Sequence, residues 1–434
     1  MYISLNDRGE DPARDDADAE AASSGDAKPM PPGAKKSLVR VSSVVITLGI
    51  VSMLTDVSSE SVAAILPLYI TSAMGLSTIA YGFIDGLYQG VSAFVRIGGG
   101  WVADRADRPK WVAFAGYGLS AVAKVWLLLA SGFGAIAAVV AVDRIGKGIR
   151  TAPRDALITA SSEPANLGHS FGVHRMLDTI GAAVGPLLAF LVLFFVPTGY
   201  TIVFVISLAF AALGVIVLGL LVPNRRPRKE RAAALARPPL RWRDLNEPRL
   251  RRLVIVAGLL GLLTIGDGFV YLSLQARNDF AAQWFPLLYV GTNVAFFIFA
   301  IPLGRIADRF GRWRVFLLGH VALLLAYACT VLPFGGPTIT IVCLVLLGAF
   351  YAATDGVLAA LAAQFSPPGG IASGIAAAQT VVAVARLIAS TGFGVLWFAL
   401  GRGNAVLIVA AALAVALPVA WLLLRSLRSK ATTA

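Results

Sequence analysis

The chain is poor in charge: only 14% of its 434 residues are Asp, Glu, Lys or Arg, against roughly a quarter in soluble domains. A water-exposed globule of this length would have too few polar side chains to cover itself. Cysteine is nearly missing. Cys329 and Cys343 both fall in apolar stretches, which suits neither a disulfide framework nor a thiolate metal site. The histidines His169, His174 and His320 show no metal-ligand spacing, so neither a metal nor a cofactor is expected. No Gly-x-x-x-x-Gly-Lys-Ser/Thr string occurs, which removes P-loop ATP hydrolysis. No nucleophile and base stand together in any motif, so the chain does not read as an enzyme. Short alternating strands are also lacking, which argues against a membrane β-barrel.

What is present is apolar. Hydrophobic residues make up 57% of the chain and the mean hydropathy is +0.77. Stretches of about twenty residues, long enough to cross a bilayer as helices, recur near 44–70, 78–102, 111–130, 136–158, 170–196 and 199–222. They resume near 253–276, 283–305, 315–334, 338–361, 371–399 and 403–424. The expected fold is therefore an all-α membrane protein of twelve transmembrane helices in two six-helix bundles, 44–222 and 253–424.

The net charge of +13 would suit a nucleic-acid binder if it formed one patch, but it lies in alternate loops. Basic connections are Arg105–Lys110, Arg309–Arg314, the central 223–252 segment and the tail 425–434, whereas Thr71–Thr78, Ser131–Ala135, Pro197–Tyr200 and Pro333–Pro337 carry no charge. Positive-inside bias then places both termini and the central linker in the cytoplasm, which requires an even number of spans. No nucleic-acid partner is expected; the bilayer is. Residues 1–43 begin acidic and poor in large apolar side chains, without the order of a secretory signal, and read as a disordered cytoplasmic tail. Pro239–Val254 alternates basic and apolar residues. It fits either an amphipathic piece on the anionic leaflet or a solvated linker.

An internal repeat supports the two-bundle reading. Gly100, Asp104, Arg105 and Arg108 return as Gly304, Asp308, Arg309 and Arg312 at a constant spacing of 204 residues. Ala152-Pro153-Arg154-Asp155 is echoed by Ala352-Ala353-Thr354-Asp355. The Gly-x-x-x-Asp-Arg-x-x-Arg loop resembles the signature of the major facilitator superfamily. Arg144 followed by Lys147-Gly148 resembles that superfamily's Arg-x-x-Gln-Gly pattern, with lysine for glutamine. Gly181, Gly185 and Pro186 are similar to the Gly-x-x-x-Gly-Pro element of its antiporters, although the glycine pair that continues the element is replaced by Leu187-Leu188. The string Gly146-Lys147-Gly148-Ile149-Arg150-Thr151-Ala152-Pro153-Arg154-Asp155-Ala156-Leu157 also looks like a bacterial subgroup of facilitators. The resemblance implies a latch on the cytoplasmic side, with Asp104 and Asp308 capping neighbouring helices and the arginines pairing with Asp155 and Asp355.

Charges inside the spans are the candidates for chemistry, since each one facing lipid at mid-membrane costs about 2.5–3.5 kcal/mol. Asp143, Lys147, Arg150 and Arg154 fall in one stripe of the fourth span, with Arg144 and Asp155 on the next. Asp56 and Glu60 share a face of the first span and Asp267 sits midway along the seventh. Asp56, Glu60, Asp143, Arg144, Lys147, Asp267 and Arg386 are the expected coupling and substrate cavity. Asp85, Arg96, Arg175 and Asp178 read as helix–helix ion pairs, and Lys124 has no evident partner.

The function expected is secondary active transport of a small solute across the inner membrane by alternating access, by a monomer. Protons are the expected coupling ion and efflux by antiport the expected direction. Uptake or exchange of an organic anion is the alternative suggested by the cations of the fourth span. A non-transporting membrane sensor or scaffold is the reading from another class.

Overall fold

The computed structural model describes residues 41–105, 108–163, 166–224, 247–333, 335–367 and 370–425; the side chains of 92–94, 96–105 and 372 fall outside that description. Most of the expected tails and central linker, and Asp107, therefore lie outside the described residues.

The described chain is helical throughout, with turns between. Six helices make the first half: α1 (Ser43–Leu68, continued by a π turn at Tyr69–Ala73), α2 (Thr78–Arg105), α3 (Pro109–Leu129), α4 (Gly132–Ala160), α5 (Leu167–Phe195) and α6 (Tyr200–Leu221). The second half holds α7, in two pieces α7a (Pro248–Leu262) and α7b (Asp267–Asn278), then α8 (Pro286–Phe310), α9 (Arg312–Val331) and α10 (Pro337–Phe365). The stretch Ile371–Arg425 is helical except at Gly401, where φ is +78°. We call the part before that glycine α11 and the part after it α12. Nine described stretches are long and apolar enough to cross a membrane, and the 53-residue one among them contains both α11 and α12. The helices not among them are α2 and α4, which carry the intramembrane charges Asp85 and Arg96 on α2 and Asp143, Arg144 and Lys147 on α4.

Each half packs on itself. In the first, α1 lies against α5 and α6, and α4 against α2 and α3; in the second, α10 lies against α8 and α9, and α7a against α11. The two halves meet chiefly where α2 faces α11 and α5 faces α8. Those meetings fall at the ends away from the basic loops. There Phe190 lies tilted on Trp284 and Phe194 meets it edge-on, at centroid distances of 5.4 and 6.2 Å, and Thr78 Oγ1 donates to the Gly394 carbonyl at 3.1 Å.

Two features differ from the sequence reading. The seventh span is not one helix. Backbone groups freed by the break at 263–266 would be costly in a membrane unless satisfied locally. Tyr327 on α9 does this, its hydroxyl accepting from Ile265 N at 2.9 Å and donating to the Leu263 carbonyl at 3.0 Å. The side opposite the basic loops is also not free of charge. Arg277 and Arg402 lie there and tie helices together, donating to the Cys329 carbonyl at 2.8 Å and the Ser273 carbonyl at 3.1 Å.

Candidate functional site

Two polar clusters lie at mid-span, one in each half. The first is built on α4, whose close approach to α3 is permitted by glycine on both: a methyl at Gly116 or Gly146 would press on the partner's backbone. Asp143 is the centre of this cluster and is 5% exposed. Arg144 donates to its Oδ2 from Nη2 and from Nε, the latter at 3.2 Å. Lys124 from α3 stands 3.4 Å from Oδ1. This is the partner that the sequence did not reveal, and it explains how a lysine survives inside α3. Arg144 also lies over the ring of Tyr88 from α2, its guanidinium carbon 3.9 Å from the centroid. Tyr88 in turn donates to Glu60 Oε1 on α1, at a long 3.4 Å.

One turn along, Lys147 Nζ lies 3.9 Å from Asp56 Oδ1 on α1. The structure thus sets both α1 carboxylates opposite α4, Asp56 facing a cation directly and Glu60 facing Arg144 through an aromatic ring. Asp56 is buried, whereas the Lys147 side chain is 32% exposed, so water can reach one member of the pair. Toward the basic side, Arg154 pairs with Asp155 at 3.0 Å and reaches Asp178 of α5 at 4.0 Å, with Arg175 also on Asp178 at 3.2 Å. Ser52 joins this group, taking hydrogen-bond contact with His174 Nε2 at 3.0 Å. His320 bonds the Phe316 carbonyl through Nδ1 at 2.9 Å.

The second cluster surrounds the break in α7. Asp267 is the first residue of α7b, where the positive end of the helix dipole favours a carboxylate, and Tyr351 of α10 donates to its Oδ1 at 2.6 Å. Arg386 of α11 lies 5.7 Å from the Tyr351 ring centre, and its Nε is buried without a hydrogen-bond partner. Among the described residues no cation lies within 4 Å of Asp85. Its Oδ2 accepts from Ser390 Oγ of α11 at 2.6 Å, across the meeting of the two halves, and Arg96 lies outside the described side chains. Gln89, Thr264, Ile265, Gly266, Tyr351, Arg386 and Ser390 line a crevice too narrow to admit a water-sized sphere. A solute would need the halves to move apart.

The residues assigned to a latch are placed as follows. Asp308 pairs with Arg312 at 3.0 Å, four residues on and exposed, and Asp155 pairs with its neighbour Arg154. Asp355 is exposed and has no cation within 4 Å among the described residues. Arg108 and Arg309 are exposed, while the side chains at Gly100, Asp104 and Arg105 are outside the description. Gly304 has open space where a Cβ would stand. Gly181 and Gly185 do pack tightly, against the α1 backbone at Met53 and at Val57 to Ser61, and Pro186 is buried beside them. Tyr88, Tyr351 and Ser390 are the site residues that the sequence left unseen, and Lys124 was seen there without its partner. A tyrosine or serine in an apolar span gives no signal until its partner's position is known.

Comparison with known proteins agrees with this architecture. The chain is 29% identical over 359 residues to an uncharacterized MFS-type transporter of Methanocaldococcus jannaschii, covering 81% of this chain and 87% of that one. It is 26% identical over 307 residues to an uncharacterized protein of Mycobacterium tuberculosis, covering 67% and 72%. Among solved structures, the nucleoside transporter NupG superposes with a TM-score of 0.76 at 16% identity, over 88% of this chain and 99% of that one. A POT family transporter in complex with 5-aminolevulinic acid gives 0.75 at 15% identity, over 89% and 97%. A family model described as Major Facilitator Superfamily matches residues 48–390. With that match over most of its length, and twelve helices in two bundles among the described residues, the chain belongs to the Major Facilitator Superfamily.

Proposed function

We propose that this protein is a proton-coupled secondary transporter that exports a small solute by alternating access. The observation that carries the reading is the placement of Asp56 and Glu60 of α1 opposite Lys147 and Arg144 of α4. A carboxylate beside a movable cation can give up a proton when the cation approaches and take one when it leaves. Lys147, long and partly exposed, is free to swing; Arg144, held by Asp143 and Tyr88, is the fixed member. Asp267 at the break in α7 supplies a third carboxylate from the other half, so a solute between the halves would meet both. The Gly181, Gly185 and Pro186 packing of α5 on α1 supports antiport, hence export.

A second reading, uptake or exchange of an organic anion, is favoured by one feature. The partly exposed ammonium of Lys147 stands ready to receive a carboxylate or phosphate in place of Asp56.

The test is flux in proteoliposomes, with cargo chosen by a thermal-shift screen of drugs, sugars, organic anions and metal chelates. Export predicts accumulation driven by a proton gradient of opposite direction. Exchange without any gradient dependence would leave the anion reading and remove the proton.

A further inference from the structure

Asp85 is unlike the other intramembrane carboxylates, because its contacts belong to the opposite half of the protein. It projects from α2, yet its Oδ2 takes the hydrogen bond of Ser390 on α11 at 2.6 Å. The same carboxylate sits on the α-carbon of Gly266, the residue that caps α7b, so closely that a methyl group there would collide with it. The helices around it leave no slack. Gly82 and Gly86 of α2 lie against the α11 backbone at Ser390, Gly394 and Leu387. Among the described residues no cation stands within 4 Å of Asp85. The charged and titratable groups facing it are Asp267 from α7b, Arg386 from α11, Tyr289 from α8 and Tyr81 from its own helix. Tyr88, one turn along α2 from Asp85, carries Arg144 of α4 over its ring.

These contacts exist only while α2 and α11 are together at the side away from the basic loops. Opening that side must pull Asp85 off Ser390 and Gly266 and let water in. Ionised and neutral forms respond differently. The ionised carboxylate, wedged between helices with one neutral hydroxyl donor, gains hydration when the helices part. The protonated form gains little from water and fits the closed contact with Ser390. A ligand shifts a two-state equilibrium only through its different affinity for the two states, and here the ligand is a proton.

We propose that Asp85, through Ser390 and the break at Gly266, is a further coupling residue: proton uptake by Asp85 closes the protein on the side opposite the basic loops, and proton loss lets that side open. This rests on the alternating-access reading above and adds to it a site spanning both halves, separate from the Asp56–Lys147 pair. For an exporter the direction is useful, since an entering proton would end the outward-open stage of the cycle.

The experiment needs neither cargo nor gradient. Spin labels at Thr198 and Thr338, exposed on the same side in opposite halves, are placed in a protein with Cys329 and Cys343 replaced by alanine. Their separation is measured as pH rises from about 5 to about 8. The parent should move from a short to a long separation, with the long population rising several-fold. Asp85→Asn should stay short at every pH. Ser390→Ala, a smaller change that keeps the carboxylate, should retain the pH response and show more of the long state at each pH. An Asp85→Asn protein that shifts with pH as the parent does overturns the proposal, as does a parent whose separation ignores pH. Should Asp85→Asn misfold, Ser390→Ala alone decides, because unchanged populations in that variant also overturn it. Loss of proton-driven flux without these distance effects would count against Asp85 while sparing the α1–α4 reading.

Discussion

Lys124 of α3 and Arg144 of α4 share one carboxylate, Asp143, each taking a different oxygen. Breaking a buried pair from one side leaves a charge uncompensated, at a cost of about 3–5 kcal/mol. The cost here is unequal. Asp143→Asn strands two cations and should fall at the upper end of that range. Lys124→Met leaves Asp143 with Arg144 and should cost clearly less. Thermal unfolding of purified protein in one detergent would check the order. Equal losses would mean that the lysine is the keystone instead.

The coupling reading makes a sharper demand. Asp56→Asn, Glu60→Gln and Asp267→Asn should each abolish proton-driven accumulation while leaving counterflow exchange near the parent rate, because only the proton step is removed. Arg144→Lys keeps the charge but cannot hold Asp143 by two nitrogens while stacking on Tyr88. A desolvated cation–π contact is worth about 2 kcal/mol, so driven flux should fall about tenfold or more. Driven accumulation at the parent level in all four variants would make these charges structural.

At the break in α7, Tyr327→Phe removes one hydroxyl that serves two backbone groups. An unsatisfied buried group costs about 1–3 kcal/mol, so this single oxygen should cost more than most conservative changes. Hydrogen exchange at Ile265 should speed up relative to neighbouring α7a amides. Unchanged exchange and melting would show that other groups or water take over.

Glycines of similar appearance should behave differently. Gly185→Ala places a methyl on the α1 backbone, and overpacking typically costs about 1–3 kcal/mol. Gly304→Ala meets open space and gains helix propensity of up to about 1 kcal/mol. Melting temperatures of the two variants should move in opposite directions.

Topology can be read with the native cysteines replaced. Cysteines at Ser131, Thr198 and Gly335 should label with an impermeant reagent in intact cells; those at Glu163 and Asn224 should not. All five positions are described and all are exposed. The reverse pattern would invert the positive-inside assignment, and a mixed one would change the number of spans.

The span pattern was legible because hydropathy and loop charge are properties of consecutive residues. The helix starts and stops lie within a few residues of the apolar stretches, apart from α7. Its break was hidden because Gly266 and Gly268 flank a single aspartate in a run that is otherwise apolar. Only the position of Tyr327, some sixty residues away, makes a break affordable there. The same limit governs the sites. Helical periodicity placed Asp143, Lys147 and Arg150 on one stripe, but no periodicity brings Lys124, Tyr88 or Ser390 to a carboxylate on another helix. Asp85 shows the same limit: a charge in a span suggests an opposite charge, and the hydrogen bond it takes among the described residues comes from a hydroxyl of the other half. Loop charge also hid the roles of Arg277 and Arg402, which are spent on carbonyls.

α11 and α12 are joined by little more than Gly401, whose left-handed backbone turns the chain without a loop. α11 carries the contact with α2 through which the halves meet, while α12 presents Leu407, Val415, Trp421 and Leu422 outward. With no slack between them, any tilt of α11 in the alternating-access cycle proposed above would drag a lipid-facing helix through the acyl chains. The work of such a cycle would include deforming the surrounding bilayer, and membrane thickness would be one of the quantities that set the rate of turnover.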